Sequence, residues 1–159
     1  LSEKLSISIR SAKDADCDTI RELFYQTINT VNTKDYTPEQ IKMWASGADN
    51  REKWIEKIKE QFFYVALHDG VVVGFASVTD QGYLDFMFVH KDHQGQGIGS
   101  ALIDTLETKT KELALSEIYA EVSITARPFF SAKGYATSKQ YVKMVNGVAF
   151  DDAVMVKFF

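Results

Sequence analysis

No stretch of this chain restricts its fold as tightly as Phe86-Met87-Phe88-Val89-His90-Lys91-Asp92-His93-Gln94-Gly95-Gln96-Gly97-Ile98-Gly99-Ser100-Ala101-Leu102-Ile103. An apolar run ending at Val89 predicts a strand, a short polar turn follows, and three glycines then stand at alternate positions. Ile98, Leu102, Ile103 and Leu106 recur at helical spacing, so the strand feeds a helix whose first turn is lined with glycine.

That junction has a chemical use. The first turn of a helix leaves backbone N–H groups without intrahelical partners, and the aligned peptide dipoles make that end positive. With no Cβ at Gly95, Gly97 and Gly99, a phosphate or pyrophosphate can approach the main chain, and Ser100 adds a hydroxyl donor. The spacing is neither G-x-G-x-x-G, which a dinucleotide fold requires, nor the G-x-x-x-x-G-K-[ST] of a P-loop.

Read from Gln94, the spacing is Q-x-x-G-x-G, with Val89 five positions earlier at the end of its strand. It resembles the acetyl-CoA signature of the GCN5-related N-acetyltransferase (GNAT) superfamily: Arg or Gln, two free positions, Gly, one free position, then Gly or Ala. A second segment, Ser123 through Tyr135, resembles that superfamily's later motif, Asn-x-x-Ala-x-x-Phe-Tyr-Glu-Lys-x-Gly-Phe, and keeps Ala126, Phe129 and Gly134. The resemblance implies that Gln94, Gly95, Gln96, Gly97, Ile98, Gly99 and Ser100 cradle the pyrophosphate of acetyl-CoA. Met87, Phe88 and Val89 then offer backbone groups to the pantetheine arm, with an N–H near Phe88 for the oxyanion. Ser123, Ala126, Phe129 and Phe130 complete the cofactor site. Two positions depart: Ser123 replaces an Asn that touches the arm, and Phe130 stands where many members carry the Tyr that protonates the CoA thiolate. The proton then comes from water or from another phenol such as Tyr141.

The rest of the chain supports the same architecture. Alternation predicts a strand over 5–11, and an apolar stripe from Ile20 to Val31 predicts a helix that Asp14 or Asp16 caps. Thr37-Pro38-Glu39-Gln40 is a capping-box start for a second helix, and Asp49 or Asn50 starts a third that ends before Gln61. Strands follow over 62–67, 71–78 and 83–89, with a hairpin turn at His68-Asp69-Gly70. The glycine-led helix runs to about Leu115, then come a strand over 117–123, a short helix between Pro128 and Gly134, a new strand from Tyr135, and a hairpin of 141–145 with 148–159 about Asn146-Gly147. The expected fold is α/β: a mixed, mostly antiparallel central sheet of about seven strands flanked by helices, as in the acyl-CoA N-acyltransferase superfamily.

With 159 residues, 45% hydrophobic and 25% charged, one domain over 1–159 is expected. No apolar run is long enough for a bilayer and Leu1-Ser2-Glu3-Lys4 shows no signal-peptide pattern, so a cytoplasmic protein without membrane contact is expected. A net charge of −4 argues against nucleic acid. Cys17 is alone, and no Cys/His pattern resembles a metal site, so neither disulfide nor metal is expected.

For the amine's proton the sequence offers Asp85, set among Leu84, Phe86 and Phe88, where burial raises a carboxylate's pKa; alternation turns it to the face of Met87 and Val89. Glu121 is a second candidate. Tyr36, Trp44 and Phe24 can wall the acceptor site, and Asp35, Glu39 and Asp49 can attract a cation. The implied activity is N-acetylation of a small or protein-borne primary amine by direct attack in a ternary complex. The alternatives are a CoA-binding module without turnover, or O-acyl or longer-acyl transfer. The apolar C-terminal strand 153–159 is a candidate surface for a homodimer.

Overall fold

The computed structural model describes residues 6–159. Its strands are β1 (Ser8–Ser11), β2 (Phe62–His68), β3 (Val71–Val78), β4 (Tyr83–Val89), β5 (Glu117–Val122), β6 (Ala136–Val145) and β7 (Val148–Phe158). The helices are α1 (Cys17–Thr30), α2 (Pro38–Ala45), α3 (Arg51–Glu60), α4 (Ile98–Glu112) and α5 (Arg127–Ala132). The strands form one sheet in the order β1-β2-β3-β4-β5-β7-β6, antiparallel throughout except where β4 meets β5. The seven-stranded mixed sheet matches the sequence expectation. The predicted first strand is observed from Ser8; its residue 5, like Leu1-Ser2-Glu3-Lys4, lies outside the described residues.

Local chemistry sets the helix starts. Thr37 Oγ1 accepts from Gln40 N–H at 3.2 Å while Gln40 Oε1 accepts from Thr37 N–H at 2.9 Å, the reciprocal capping box that the sequence predicts. Gln40 Nε2 also donates to Ala149 O at 2.7 Å, which docks α2 on the β6–β7 hairpin. Asn50 caps α3 through Lys53 N–H. Asp16 does not cap α1 with its side chain; its two carboxylate oxygens take Arg10 at 2.8 and 2.9 Å and fasten the helix start to β1.

Each face of the sheet carries its own core. On one face α1, α2 and α3 bury Phe24, Trp54, Phe63 and Phe75, with Phe86 and Phe88 against them. On the other, α4 and α5 bury Ile98, Leu102, Leu106, Phe130 and Met155 with Ile118 and Val122 of β5. A buried acid ties the second layer together: Glu107 of α4 accepts from Tyr135 Oη at 2.9 Å and from Lys157 Nζ at 2.8 Å, so its charge is fully paired.

Two irregularities shape everything that follows. Adjacent Val78 and Ser77 of β3 pair with Leu84 and Phe86 of β4, so Asp85 is an extra residue in the strand, a β-bulge. Leu84 therefore packs on the α4 side and Phe86, two residues on, packs on the α1–α3 side. Strict alternation, which turned Asp85 toward the face of Met87 and Val89, fails here: the carboxylate points to α3, where Lys57 and Gln61 hold it. The second irregularity is the β4–β5 ladder, which pairs only Tyr83 with Tyr119 and Leu84 with Ala120. Beyond Leu84 the two strands part, because β5 stays hydrogen-bonded to β7 as far as Val122.

Near the C terminus, the strand begun after Tyr135 and the predicted strand 141–145 are one element. β7 is 11 residues long and offers partners to all of β6, with Ser138 stepped out by a register shift between Thr137 and Lys139.

Candidate active site

The glycine loop closes the open end of the gap between β4 and β5. Gly97 is the N-cap of α4 at φ 87°, and the first helical bond comes from Ala101 N–H to Gly97 O at 3.1 Å. The N–H groups of Ile98, Gly99 and Ser100 are thus left without helical acceptors. A Cβ built on Gly95 or Gly97 meets no atom within 4 Å: both face an open mouth, in the left-handed region that glycine tolerates. Gly99 differs. Its Cβ falls 3.2 Å from the Phe129 ring, so this glycine lets α5 lie close to α4. Ile98 is buried and anchors the helix in the core, and Ser100 is half-buried in the first turn.

Gln94 braces the loop: its Nε2 donates to Val89 O at 2.7 Å. Thr27 Oγ1 of α1 donates to the same carbonyl at 3.3 Å, which fills both of its lone pairs. Gln96 Oε1 lies 3.1 Å from His93 Nδ1 within the turn.

The parted strand leaves particular backbone groups free. His90 N–H donates to Val73 O at 2.8 Å, and Phe88 O lies 3.0 Å from a Cβ built on Gly74, so residues 88 and 90 direct their backbone groups to β3. Alternation directs Met87 and Val89 the other way, into the gap. The donors that face the gap are therefore the N–H groups of Met87 and Val89, and the N–H of Phe88 belongs to the β3–β4 ladder.

Two cavities meet in the gap. A narrow one of about 180 Å³ runs between α1 and α5 beside Val89, Gln94 and Gly99. A broader one of about 530 Å³ opens under α2 over the exposed halves of β4, β5, β6 and β7. Trp44, Met87, Phe88, Ser123, Ala126 and Phe130 line both, which defines a junction. Phe130 is buried there edge-on to Phe129 and Tyr135 at centroid distances of 5.6 and 5.1 Å, and has no hydroxyl. Ser123 Oγ accepts from Ala126 N–H at 3.3 Å and starts α5. One residue on, Ile124 N–H donates to Tyr36 Oη at 2.8 Å, bringing a phenol from just before α2 to the junction.

In and beside the broad cavity stand groups that hold protons tightly. Burial, before any other cause, pushes the Tyr36, Tyr83 and Tyr141 phenols up; for Tyr141 a hydrogen bond to Glu121 adds to it. Burial also lifts the Asp152 carboxyl above its ordinary range, against the opposing pull of Lys143. Glu121 is paired with Lys143 Nζ at 3.0 Å. Asp85 Oδ2 accepts from Lys57 Nζ at 2.8 Å and Gln61 Nε2 at 2.7 Å.

The structure thus brings Met87, Phe88, Val89, Gln94, Gly99, Ser123, Ala126, Phe129 and Phe130 to the narrow cavity, and Asp85 to the wall of the broad one. Tyr141 lies beside Glu121, directly across from Asp152 in the β6–β7 ladder. Asp152 itself escaped sequence reading. One signal was available: Val148, Phe150 and Asp152 share a face of β7, so a carboxylate stands where alternation calls for an apolar residue.

Residues 32–155 match the family model of the acetyltransferase (GNAT) domain. The uncharacterised N-acetyltransferase YafP of Escherichia coli (strain K12) is 31% identical over 150 residues, 94% of this chain and 95% of the relative. The crystal structure of a GCN5-related N-acetyltransferase (aminotransferase, class II) from Rhodopseudomonas palustris superposes with a TM-score of 0.96 at 28% identity, over 100% of this chain and 99% of that one. The PaiA N-acetyltransferase of Thermoplasma acidophilum, solved in complex with coenzyme A, shares the fold with a TM-score of 0.77 at 21% identity, over 98% of this chain and 100% of that one. Motif, parted strands and family match agree, and the chain belongs to the GNAT family of acetyltransferases.

Proposed function

We propose that this acyltransferase moves the acetyl group of acetyl-CoA to a primary amine by direct attack within a ternary complex. The observation that carries this reading is the junction, six residues shared by a narrow cavity and a broad one. The narrow cavity reaches Gln94 of the loop and Gly99 in the first turn of α4, and the free N–H groups of that turn, with open space at Gly95 and Gly97, are suited to a diphosphate. The broad cavity suits an acceptor. Acetyl-CoA supplies an acyl group activated as a thioester; the chain supplies position, hydrogen bonds and proton transfer.

Met87 lines both cavities, and its N–H is the donor for a carbonyl oxygen at the junction, while Val89 N–H serves the arm further along. Phe130 has no proton to give, so the thiolate takes its proton from Tyr36, whose burial keeps the phenol protonated near neutral pH. This reading moves the acid from Tyr141 to Tyr36. Phe130 also favours a second reading, a module that binds CoA without turnover.

The test is thiol release from acetyl-CoA across a panel of primary amines. Tyr36→Phe is expected to lower kcat roughly 100-fold, the scale of a lost general acid, with acetyl-CoA affinity by calorimetry unchanged. Acetyl-CoA binding without thiol release on any amine selects the module instead.

A further inference from the structure

Three carboxylates line the broad cavity: Asp85, Glu121 and Asp152. Asp85 is held by Lys57 and Gln61, and Glu121 by Lys143. Among the described residues no hydrogen bond or ion pair engages the carboxylate of the half-buried Asp152, whose backbone pairs with Tyr141 in the ladder. Its position follows from the ladder. The β5–β7 pairing ends at Val122 opposite Ala153, so the next step places Asp152 across from Ser123 at the point where the strands separate. Val122 and Ala153 face the α4 side, which turns Ser123 and Asp152 to the cavity side. The one unpaired carboxylate of the cavity therefore stands beside the junction.

Its surroundings are aromatic. The Tyr36 ring lies 5.3 Å from Trp44 and 6.2 Å from Phe150, and Phe150 shares the face of β7 with Asp152. Trp44 continues the wall to Phe88 at 6.4 Å. Ring faces and a lone carboxylate together make a seat for an ammonium group on an apolar body.

We infer that Asp152 binds the acceptor's ammonium and takes its first proton, and that the acceptor is a primary amine carried on an apolar, aromatic-sized group. This rests on the acetyl-transfer reading above. The ammonium gives one proton to the Asp152 carboxylate, and the freed nitrogen lone pair forms the C–N bond to the acetyl carbon. The C–S bond then breaks with its electron pair on sulfur. The thiolate takes its proton from Tyr36, the nitrogen's second surplus proton restores the Tyr36 phenol, and Asp152 releases its proton to water, leaving amide, thiol and one proton. The charged and titratable groups that act on Asp152 are Tyr36 before α2, Tyr83 of β4, Glu121 of β5, Arg127 of α5, Tyr141 and Lys143 of β6, and Asp151 of β7, whose side chain points to the other face of the strand. Burial outweighs Lys143 and Arg127 in that company, so the carboxyl gives up its proton above the ordinary carboxylate range.

The test uses acetyl-CoA and 2-phenylethylamine from pH 5.5 to 9 with the parent, Asp152→Asn and Asp152→Glu, and calorimetry of acetyl-CoA on each. Asp152→Asn is expected to lower kcat/KM for the amine about 100-fold or more and to remove the limb that rises as the carboxylate ionises. Asp152→Glu falls between the two, and acetyl-CoA affinity is kept by all. If Asp152→Asn does not fold, Asp152→Glu must still lose about tenfold with acetyl-CoA bound, or the inference fails. Parent-like kcat/KM and pH limb in Asp152→Asn overturn it, and so does a parent that binds acetyl-CoA yet neither binds nor acetylates the amine. A parent that does not bind acetyl-CoA overturns the acetyl-transfer reading itself.

Discussion

Gly97→Glu is expected to weaken acetyl-CoA binding at least about 100-fold, with the secondary structure and the melting transition largely kept. Two effects act together. An L side chain at φ 87° sits in the left-handed region, a cost of roughly 1–2 kcal/mol that falls on the loop. The new Cβ enters open space, so nothing in the protein is displaced, but the carboxylate then projects into the mouth above the orphan N–H groups of α4. That is where the helix field favours a ligand's negative charge, and a built-in anion competes for it. Gly97→Ala separates the two contributions, since it carries the strain without the charge, and should lose less. Calorimetry of acetyl-CoA on the parent and both variants is the measurement. Retained affinity in Gly97→Glu would mean that the diphosphate is seated elsewhere.

The legible parts of this fold are the local ones. Strand, polar turn, three glycines and helix lie within eighteen consecutive residues, and each element there answers to its own neighbours. Thr37 and Gln40 act the same way, three residues apart. Asp85 was misread because its orientation depends on how β3 pairs with β4: nothing in Leu84-Asp85-Phe86 announces that Val78 and Ser77 will leave it unpaired. Which backbone donors between Met87 and Val89 face the gap is likewise a matter of pairing, set by His90 bonding to Val73. Tyr36 and Asp152 are harder still. The phenol reaches Ile124 across 88 residues of sequence, and Asp152 comes to stand beside the junction only because β7 inserts between β5 and β6. The glycine loop is written in one segment, whereas the broad cavity is assembled from α2, β4, β5, β6 and β7, and no spacing rule spans them.

The broad cavity also depends on a residue that does not line it. Phe75, fully buried at the centre of β3, stacks on Phe63 at 5.8 Å and on Phe88 at 5.4 Å, and meets Trp54 and Phe86 edge-on or tilted at 6.0 Å each. Phe75→Ala is expected to cost about 3–5 kcal/mol, the range for emptying an aromatic site in a packed core, and to lower the melting temperature by on the order of 10 °C for a chain of this size. Urea denaturation reads the first and calorimetry the second. The loss should also reach the site. Phe88 sits across from Phe75 in the ladder and stacks on its ring, so a void there frees the segment whose neighbours, Met87 and Val89, present their N–H groups to the gap. Weaker acetyl-CoA binding is therefore expected at temperatures where the variant remains folded. A stability loss below about 1 kcal/mol would show that the surrounding rings collapse into the space, and β4 would then owe its position to the β3 backbone ladder rather than to the aromatic stack beneath it.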